Sequence, residues 1–514
     1  MQDRQIWDAV VIGSGMGGLS CAAALAKTGH RVAVVEQHSV AGGLTQTFRR
    51  GGFRWDVGVH YLGEVGPQGE SHELLDWLTD DAIEFASLGT VYDILHFPDG
   101  FEVKFPCSET AIKDELKAKF PESASDIDVV FLAMAEADRA GRALFPERAM
   151  PGLLAKVYGL WHDAAIRKWW GRSSAEVLGE LVHDPKLRAV LLAQKDNYGG
   201  VPAREMSFGL QAMVMRHYFN GAYYPVGGAG AFADALVPVI EQAGGAIKLK
   251  AKVKELLVEN SLVVGVLLDD GSTLRAHSVF SGIGARNTVG LLPAGMRDSE
   301  WSREILSFAP SVCHVGLYLG LEGDIRANGA TASNHWFHEN WDINGDAWDP
   351  ASGSPAPAVF ISFPSLKDPE HDPGAKRRHT AEIVAMVRWD AFAPWQDSAL
   401  GHRPPDYIAF KADIERRLME QFARYFPALA PLVVTREMST PLTNAAFIGS
   451  QHGAIYGIEV SPRRFLSKSL RARTPVPGLY LTGQDVVTPG VTGAMIAGVL
   501  SASRYESKVR AHLL

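Results

Sequence analysis

The sequence has few cysteines, no excess of positive charge and no long apolar run. Its 514 residues include three cysteines, Cys21, Cys107 and Cys313, which lie far apart and form no CxxC pair. This spacing argues against a disulfide framework and against a thiol redox pair. Fifty Lys and Arg residues against 58 Asp and Glu residues give a net charge of -8, which disfavours a general nucleic-acid-binding surface. We therefore expect a protein of a reducing compartment without a nucleic-acid partner.

Segments that enter or cross a membrane are also scarce. Apolar runs such as 262–268 are far shorter than the ~18 residues that a bilayer crossing needs. The first seven residues lack the basic and apolar regions of a secretory signal. Residues 153–172 mix Leu, Trp, Lys and Arg, a composition that suits a helix at a membrane interface as well as an ordinary packed helix. We expect a cytoplasmic protein, with peripheral membrane contact through 153–172 as a hypothesis.

Glycine, by contrast, is abundant and concentrated in one motif near the start. The chain has 51 glycines, about one residue in ten where roughly 7% is usual. Residues 13–18 (GSGMGG) fit GxGxxG between a β-branched run, Asp8–Ile12, and a small apolar segment typical of a helix. A second β-branched run, Arg31–Glu36, completes a βαβ unit, and its final carboxylate is placed to bind a ribose. The turn and the helix N-terminus would hold a pyrophosphate, so the motif predicts dinucleotide binding.

The rest of the chain predicts a second region of mixed structure. Residues 66–200 have a helical texture, and 253–280 read as three antiparallel strands joined by short turns. Residues 330–405 are rich in Pro, Trp, His and Asp, which is typical of loops. Near the C-terminus, 478–482 predicts a strand and 493–504 a helix of small residues. The pair His335 and His338 has a spacing that could bind metal, but the composition around it suits a surface loop, so we expect no metal site.

Two further glycine-rich segments carry a resemblance to a known family. Ala41-Gly42-Gly43 after the second strand, and residues 480–494 (YLTGQDVVTPGVTGA) near the end, resemble FAD-dependent oxidoreductases of the glutathione-reductase-2 type. Four stretches, 55–63, 223–253, 441–457 and 481–486, are similar to the phytoene desaturase, carotenoid isomerase and retinol saturase family, most of all to its retinol saturase-like branch. These stretches cover both ends and the middle, so the resemblance extends over the whole chain.

The resemblance implies FAD as the cofactor. It also implies an α/β fold with a Rossmann-type FAD-binding domain, which includes a three-stranded antiparallel meander, and a discontinuous α+β substrate domain with a helical lid. The FAD-binding domain would comprise 1–65, 220–290 and 440–514, and the substrate domain 66–219 and 291–439. Motif and resemblance together predict these cofactor-binding residues: Gly13, Ser14, Gly15, Met16, Gly17, Gly18, Glu36, Gln37, Gly42, Gly43, Leu44, Val253, Gly282, Gly483, Asp485, Gly490, Val491 and Thr492.

By the same resemblance, the expected reaction changes carbon–carbon double bonds of a lipophilic isoprenoid or polyene, like a retinoid or carotenoid. Saturation is the leading interpretation: a hydride from the reduced flavin N5 plus a proton from a side chain, for which His60 and Tyr61 are the catalytic candidates. Desaturation and cis-trans isomerisation are rivals on the same scaffold. Flavin amine oxidation and a non-enzymatic, escort-type prenyl-binding role are further alternatives. The sequence leaves the substrate and the electron partner open.

Overall fold

The computed structural model of the protein describes residues 6–150, 152–343 and 345–513. Within these residues the strands are β1 (Ile6–Ile12), β2 (Val32–Val35), β3 (Thr47–Arg50), β4 (Phe53–Asp56), β5 (Phe85–Ser87), β6 (Val91–Phe97), β7 (Phe101–Pro106), β8 (Tyr223–Pro225), β9 (Ala246–Lys248), β10 (Val253–Glu259), β11 (Leu262–Leu268), β12 (Thr273–Ser281), β13 (Cys313–Glu322), β14 (Asn334–His338), β15 (Ala358–Ser362), β16 (Arg378–Val387), β17 (Val433–Ser439) and β18 (Leu479–Leu481).

The α-helices of the same residues are α1 (Met16–Lys27), α2 (His72–Thr79), α3 (Glu109–Lys119), α4 (Ala124–Ala149), α5 (Gly152–Trp169), α6 (Ser174–Leu181), α7 (Pro185–Leu192), α8 (Phe208–Arg216), α9 (Ala231–Gln242), α10 (Ala285–Gly290), α11 (Ala294–Arg297), α12 (Glu300–Ser307), α13 (Pro405–Tyr425), α14 (Pro441–Ile448), α15 (Pro462–Leu466) and α16 (Val491–Tyr505).

The first large sheet contains the predicted βαβ unit. Its strand order is β10-β11-β12-β1-β2-β9, and β18 pairs with the end of β12. The strands β18, β12, β1, β2 and β9 are parallel, whereas β10, β11 and the start of β12 form the predicted antiparallel meander. The β-branched residues of β1 and β2 are buried because helices and the meander cover both faces of the sheet. The sheet joins chain segments that are more than 400 residues apart.

The second large sheet has the order β17-β13-β16-β15-β14-β6-β7 and is mainly antiparallel. Helices α3 to α8 pack against one end of it and share a large apolar core with β6 and β7. Residues Phe208, Ala212 and Met215, which recur along α8, lie in this core with no exposed surface. The α/β fold class predicted from the sequence is confirmed by this two-sheet architecture.

Two sequence predictions need correction. The span 66–200 is not wholly helical, because residues 85–106 form β5, β6 and β7, with a tight turn at Asp99 and Gly100 between the last two. Most of the span 330–405 is irregular, as expected, but the loop prediction was incomplete because the span also contributes β14, β15 and β16 to the second sheet. The polar residues that suggested a loop are buried there: the side chain of Asn334 donates to Asp93, and His335 lies 3.0 Å from His96.

Candidate functional site

A cavity of about 540 Å³ runs along the C-terminal edge of the parallel strands. Its walls come from the turn between β1 and α1, the end of β2, residues 42–46, the start of β10, the segment after β12, the C-terminal end of α14 and the start of α16. In parallel sheets, ligands bind at this edge because the loops and helix N-termini converge there. The cavity is therefore the natural place for a cofactor.

The glycines of the first turn shape this cavity in different ways. A Cβ on Gly18 would lie 2.0 Å from the carbonyl oxygen of Gly13, so that pair closes the turn. A Cβ on Gly17 would lie 2.4 Å from the Cα of Gly483, so Gly17 admits the C-terminal segment. A Cβ on Gly15 would meet no protein atom within 4 Å, although Gly15 lines the cavity at the start of α1. This open space, in front of the free N–H groups of a helix, suits a pyrophosphate.

Glu36 stands at the end of β2, where a ribose would be expected. Its Oε2 accepts hydrogen bonds from the backbone N–H of Ser14 (2.9 Å) and from the Ser14 hydroxyl (2.7 Å), and its Oε1 accepts one from the N–H of His38 (2.8 Å). The carboxylate is thus held in one position at the cavity wall. Each oxygen of an ionised carboxylate can accept further hydrogen bonds, so a ribose hydroxyl can still be bound.

The C-terminal segment forms the opposite wall. Asp485 accepts hydrogen bonds from the backbone N–H of Ala285 (2.7 Å) and of Ile458 (3.0 Å), which ties three chain segments together beside the cavity. Gly490, with φ of 90°, precedes α16, and the N-terminus of this helix faces the cavity at Val491. The hydroxyl of Thr492 is buried without a hydrogen-bond partner in the protein. The second helix N-terminus at the cavity suits a ligand that carries partial negative charge.

Fifteen of the eighteen predicted cofactor-binding residues line the cavity. They are Gly13, Gly15, Met16, Gly17, Glu36, Gln37, Gly42, Gly43, Leu44, Val253, Gly282, Gly483, Asp485, Gly490 and Val491. The other three stand behind the wall: Ser14 holds Glu36, Gly18 packs on Gly13, and Thr492 follows Val491 in α16. Their contribution to the cavity is therefore indirect.

Sequence reasoning missed part of the wall. Gln46, Gly58, Arg286 and Asn287 also line the cavity, as does the segment 445–451. This segment is fixed by hydrogen bonds from Gln37 to the carbonyl of Phe447 (3.2 Å) and from Asn287 to that of Gly449 (3.0 Å). It belongs to the stretch 441–457, one of the four that are similar to the family. The resemblance therefore marked this segment, but it did not indicate that the segment lines the cavity.

The two catalytic candidates do not line this cavity. Gly58 lines it, and His60 and Tyr61 follow two and three residues later, away from the cavity wall. There they contact residues of the second large sheet, Glu382 and Asp93. The hydroxyl of Tyr61 donates to Asp93 (2.8 Å) and accepts from the side chain of Asn197 (2.8 Å). Burial raises the pKa of Tyr61 well above its ordinary value, so the phenol stays protonated.

His60 belongs to a group of buried ionisable residues that we call the buried ionic cluster: Asp56, His60, Lys367 and Glu382. The Nδ1 atom of His60 lies 2.9 Å from Oε2 of Glu382, and the ammonium of Lys367 donates to the His60 carbonyl (2.8 Å). The carboxylate of Asp56 accepts from the N–H of Ala229 (2.9 Å) and from the hydroxyl of Tyr224. Desolvation lowers the pKa of His60 to about 3 and that of Lys367 to about 7, and raises that of Asp56 to about 7 and of Glu382 to about 8.

Such a cluster is unusual for a purely structural core. Buried ionisable groups cost free energy unless they are paired, and strongly shifted pKa values concentrate at functional sites. Here neutral and charged forms of Asp56, Lys367 and Glu382 lie close in free energy near pH 7, whereas His60 is neutral there. The sequence showed His60 as a candidate but gave no sign of Lys367, which follows β15, or of Glu382 on β16, because both lie more than 300 residues further along the chain.

The proposed interfacial segment 153–172 forms most of α5. The tryptophans near its end, Trp169 and Trp170, are buried in the core and so are not available for the membrane contact that the sequence suggested for this segment. The exposed apolar side chains lie earlier in the helix: Leu154, Val157, Leu160 and Trp161. Leu160 and Trp161 are more than 80% exposed. Along the described chain, no helix combines the length and the apolar character needed to span a membrane.

Comparisons with known proteins show which family the chain belongs to. Residues 16–296 match the family model of flavin containing amine oxidoreductases. The chain is 31% identical to an all-trans-retinol 13,14-reductase of Danio rerio over 521 residues, covering 96% of this chain and 85% of the relative. It is 24% identical to a chloroplastic prolycopene isomerase of Arabidopsis thaliana, covering 98% and 84%. The solved structure of a cyclohexylamine oxidase from Brevibacterium oxydans has a similar fold, with a TM-score of 0.64 at 17% identity over 99% of this chain and 100% of that one.

Proposed function

Since this chain belongs to the flavin containing amine oxidoreductase family, we propose that it is an FAD-dependent oxidoreductase that reduces a carbon–carbon double bond of a lipophilic polyene. The observation that carries the proposal is the similarity to the retinol reductase across 96% of the chain, at 31% identity. An amine substrate finds support only in the family model and in structures of low sequence identity, which reflect the fold. A retinoid-like or carotenoid-like polyene is therefore the favoured substrate class.

The residues around the cavity fit FAD. The open space at Gly15 and the N-terminus of α1 suit the pyrophosphate, and Glu36 suits the adenosine ribose. The segment before α16, with Gly483, Asp485 and Gly490, would hold the flavin half. When bound, FAD supplies the transfer of two electrons and a hydrogen to or from a carbon beside its ring. The FAD-binding domain that we propose, 1–65, 220–290 and 440–514, contributes nearly all of the cavity wall.

The proton that saturation also needs must be delivered by residues of the chain. Saturation adds one hydrogen to each of two carbons, and the second hydrogen arrives as a proton. We assign the proton to the His60 and Tyr61 pair, because both follow Gly58 out of the cavity wall and both lie beside a buried carboxyl group: Tyr61 donates to Asp93, and His60 Nδ1 lies 2.9 Å from Glu382. Tyr61 holds its proton firmly because its pKa is raised, and the ring of His60 is neutral near pH 7 because its pKa is lowered to about 3. His60 can therefore release a proton only if a neighbouring acid group returns one to its other ring nitrogen.

Single-turnover reduction tests the proposed function. The protein with FAD is reduced without oxygen and mixed with all-trans-retinol or with a poly-cis carotene, while flavin absorbance and product mass are followed. A product that has gained two hydrogens, formed as the flavin is reoxidised, is the expected result. A product of unchanged mass and altered retention would instead assign isomerisation, and reduced flavin that stays reduced with every polyene would overturn the proposal.

We also propose that the exposed apolar residues of α5 bring the protein to a membrane surface, where lipophilic polyenes are dissolved. Leu154, Val157, Leu160 and Trp161 recur at intervals of three or four residues, so they share one side of the helix. An exposed apolar stripe with Arg167 and Lys168 in the last turn has the composition of an interfacial helix.

Vesicle sedimentation tests this contact. The double variant Leu160→Glu/Trp161→Glu should bind vesicles of mixed neutral and anionic phospholipids several-fold more weakly than the wild type. The matched control is Leu400→Glu/Val434→Glu, which changes two other exposed apolar residues outside α5 and should bind like the wild type. Equal sedimentation of all three proteins would contradict the proposal.

A further inference from the structure

One carboxyl group of the buried ionic cluster, Glu382, contacts both the proposed proton donor, His60, and the strand that precedes it. It lies on β16 with about 1% of its side chain exposed. Its Oε1 accepts a hydrogen bond from the backbone N–H of Asp56 (3.2 Å), and its Oε2 lies 2.9 Å from Nδ1 of His60. Glu382 therefore holds the end of β4, just before residues 57–61, by a hydrogen bond and stands directly beside the ring of His60.

The two nitrogens of His60 have different surroundings. Nδ1 is fully enclosed and lies 2.9 Å from Oε2 of Glu382, although these two buried atoms are not aligned as a hydrogen bond in this conformation. No described residue hydrogen-bonds Nε2. The side chain as a whole is 22% exposed, and its ring packs against Phe360 with centroids 4.9 Å apart. A carboxyl group thus stands at one end of the imidazole, and the other end has no hydrogen-bond partner among the described residues.

Other ionisable groups face this pair from every side. They are Asp56 on β4, Tyr224 on β8, His314 and Tyr318 on β13, Lys367 after β15, and, next to Lys367, Asp93 on β6. The ammonium of Lys367 is fixed by the Ser362 hydroxyl (2.7 Å), the Asn334 side chain and the His60 carbonyl. When His60 is neutral, the Lys367 ammonium is the only positively charged group of the buried ionic cluster, and it acts electrostatically on Glu382.

We propose that Glu382 is a positioning residue that keeps the proton of neutral His60 on Nε2 and replaces that proton through Nδ1 when His60 releases it. The proposal rests on the proposed function, in which His60 delivers the proton for saturation. It adds a role for a residue that touches neither the substrate nor the cofactor. Histidine tautomers are set in this way by the partner of the second nitrogen.

The proton transfer is balanced within the chain. The Nε2–H bond breaks, its proton bonds to the substrate carbon that carries the electron pair left by hydride addition, and the N–H electron pair stays on Nε2. At the same time the O–H bond of Glu382 breaks, and its proton bonds to Nδ1. The imidazole is neutral before and after, and the negative charge passes from carbon to the Glu382 carboxylate, beside the Lys367 ammonium. Water later returns a proton to the cluster.

The protonation states near pH 7 support this direction. Burial raises the pKa of Glu382 to about 8 and lowers that of His60 to about 3, so the pair carries one proton on the carboxyl group and one on the ring. Above about pH 8 the carboxylate forms, and a carboxylate beside Nδ1 favours the other tautomer, with the proton on Nδ1. The open nitrogen would then be an acceptor and could not donate.

Nitrogen NMR tests the tautomer without any substrate. The FAD-loaded protein is labelled with ¹⁵N in histidine, and the signals of His60 among the 17 histidines are assigned with the variant His60→Gln. We expect Nδ1 of His60 to be unprotonated at pH 6.5 and protonated above pH 9, with a midpoint near pH 8. In Glu382→Gln this switch should be absent, and in Glu382→Asp it should return. A tautomer that does not change with pH in the wild type would overturn the proposal.

Single-turnover kinetics tests the consequence for the reaction. Glu382→Gln should slow product formation about 100-fold or more and should remove the loss of rate above about pH 8, because positioned acid groups contribute factors of 10² to 10⁴. Bound FAD and the melting temperature should stay near wild-type values. The matched control is Glu147→Gln, a buried glutamate paired with Lys468 and Arg471 away from the cluster, which should keep the wild-type pH profile.

The two measurements separate the two proposals. If the wild type reduces no polyene but the tautomer switch depends on Glu382, the proposed function fails and the role of Glu382 in orienting His60 stands. If the wild type is active and Glu382→Gln keeps both the rate and the alkaline limb, the role of Glu382 is overturned and the proposed function stands.

Discussion

Gly15 and Gly17 are two residues apart in the turn that opens α1, and the space beside each is different. An alanine methyl at Gly15 meets no protein atom but points into the space assigned to the pyrophosphate, and its φ of -66° is accessible to alanine. An alanine methyl at Gly17 collides with the backbone of Gly483. We therefore expect Gly15→Ala to keep the stability of the FAD-free protein and to lose bound FAD, as measured by melting temperature and by flavin absorbance after purification.

Gly17→Ala is expected to differ from Gly15→Ala. It should lower the melting temperature of the FAD-free protein itself, because the backbone of Gly483 has to move away from α1. Loss of stability in Gly15→Ala, or normal FAD content in that variant, would contradict the assignment of Gly15 to the pyrophosphate.

His217 makes stability depend on pH. Its Nε2 accepts a hydrogen bond from the backbone N–H of Gly63 (3.0 Å), which requires a neutral ring, and burial lowers its pKa to about 4. An unfolded chain takes up this proton near pH 6.5, so acid favours the unfolded state from about pH 6.5 downward until the folded protein also binds it near pH 4. His217→Gln keeps an acceptor and removes the titration. We expect the loss in free energy of unfolding between pH 7 and pH 5 to shrink by about 2 kcal/mol.

Urea unfolding at the two pH values measures this effect. His277→Gln, a change of an exposed histidine on β12, is the control and should leave the pH dependence as in the wild type. An equal loss of stability with acid in His217→Gln and the wild type would show that folding does not lower the pKa of His217.

Among elements, α1 and α16 pack closely although they stand near opposite ends of the sequence. A Cβ on Gly498 of α16 would lie 2.6 Å from the carbonyl oxygen of Gly17 and 2.9 Å from the backbone nitrogen of Cys21. Gly498→Ala should therefore push the helices apart and lower the free energy of unfolding by about 1–3 kcal/mol. It should also weaken FAD retention, because Gly17 lies in the turn at the cavity wall. Urea unfolding and flavin content after dialysis measure the two effects.

A glycine on a free helix surface provides the control for this variant. Gly179 of α6 is exposed, and an added Cβ there meets nothing within 4 Å. Gly179→Ala should raise stability by about 0.5–1 kcal/mol, since alanine loses less conformational freedom in a helix. A similar gain from Gly498→Ala would contradict the tight packing of α1 on α16.

Some strands could be predicted from sequence patterns, and others could not. The strands β1, β2 and β10 to β12 could be predicted because runs of Val, Ile and Leu between turn residues are typical of buried or meander strands. The strand β14 could not, because its sequence Asn-His-Trp-Phe-His is polar and aromatic and becomes strand-like only through partners on β6 and β15. Pairing with distant strands overrides local composition there.

At the scale of the whole molecule, the cavity was more predictable than the ionic cluster. Glycine positions signal the cavity because a backbone that approaches a ligand or another chain segment closely excludes a side chain, and that constraint is visible in the sequence. Lys367 and Glu382 carry no such local signal, since a lysine and a glutamate in strands or turns are ordinary surface residues. Only the folding of the second sheet onto residues 56–61 buries them together.

The cavity joins three distant parts of the chain, so FAD should stabilise them as one unit. Its wall combines the β1–α1 turn, residues 282–287 after β12, and residues 483–491 before α16. A ligand that binds only the folded protein adds free energy of about 2.7 kcal/mol when its free concentration is 100 times its dissociation constant. We expect FAD to raise the melting temperature and to slow amide hydrogen exchange in all three segments together, whereas Gly15→Ala should show neither change. Protection confined to the first segment would mean that the C-terminal wall does not contact the cofactor, and would restrict the site to the βαβ unit.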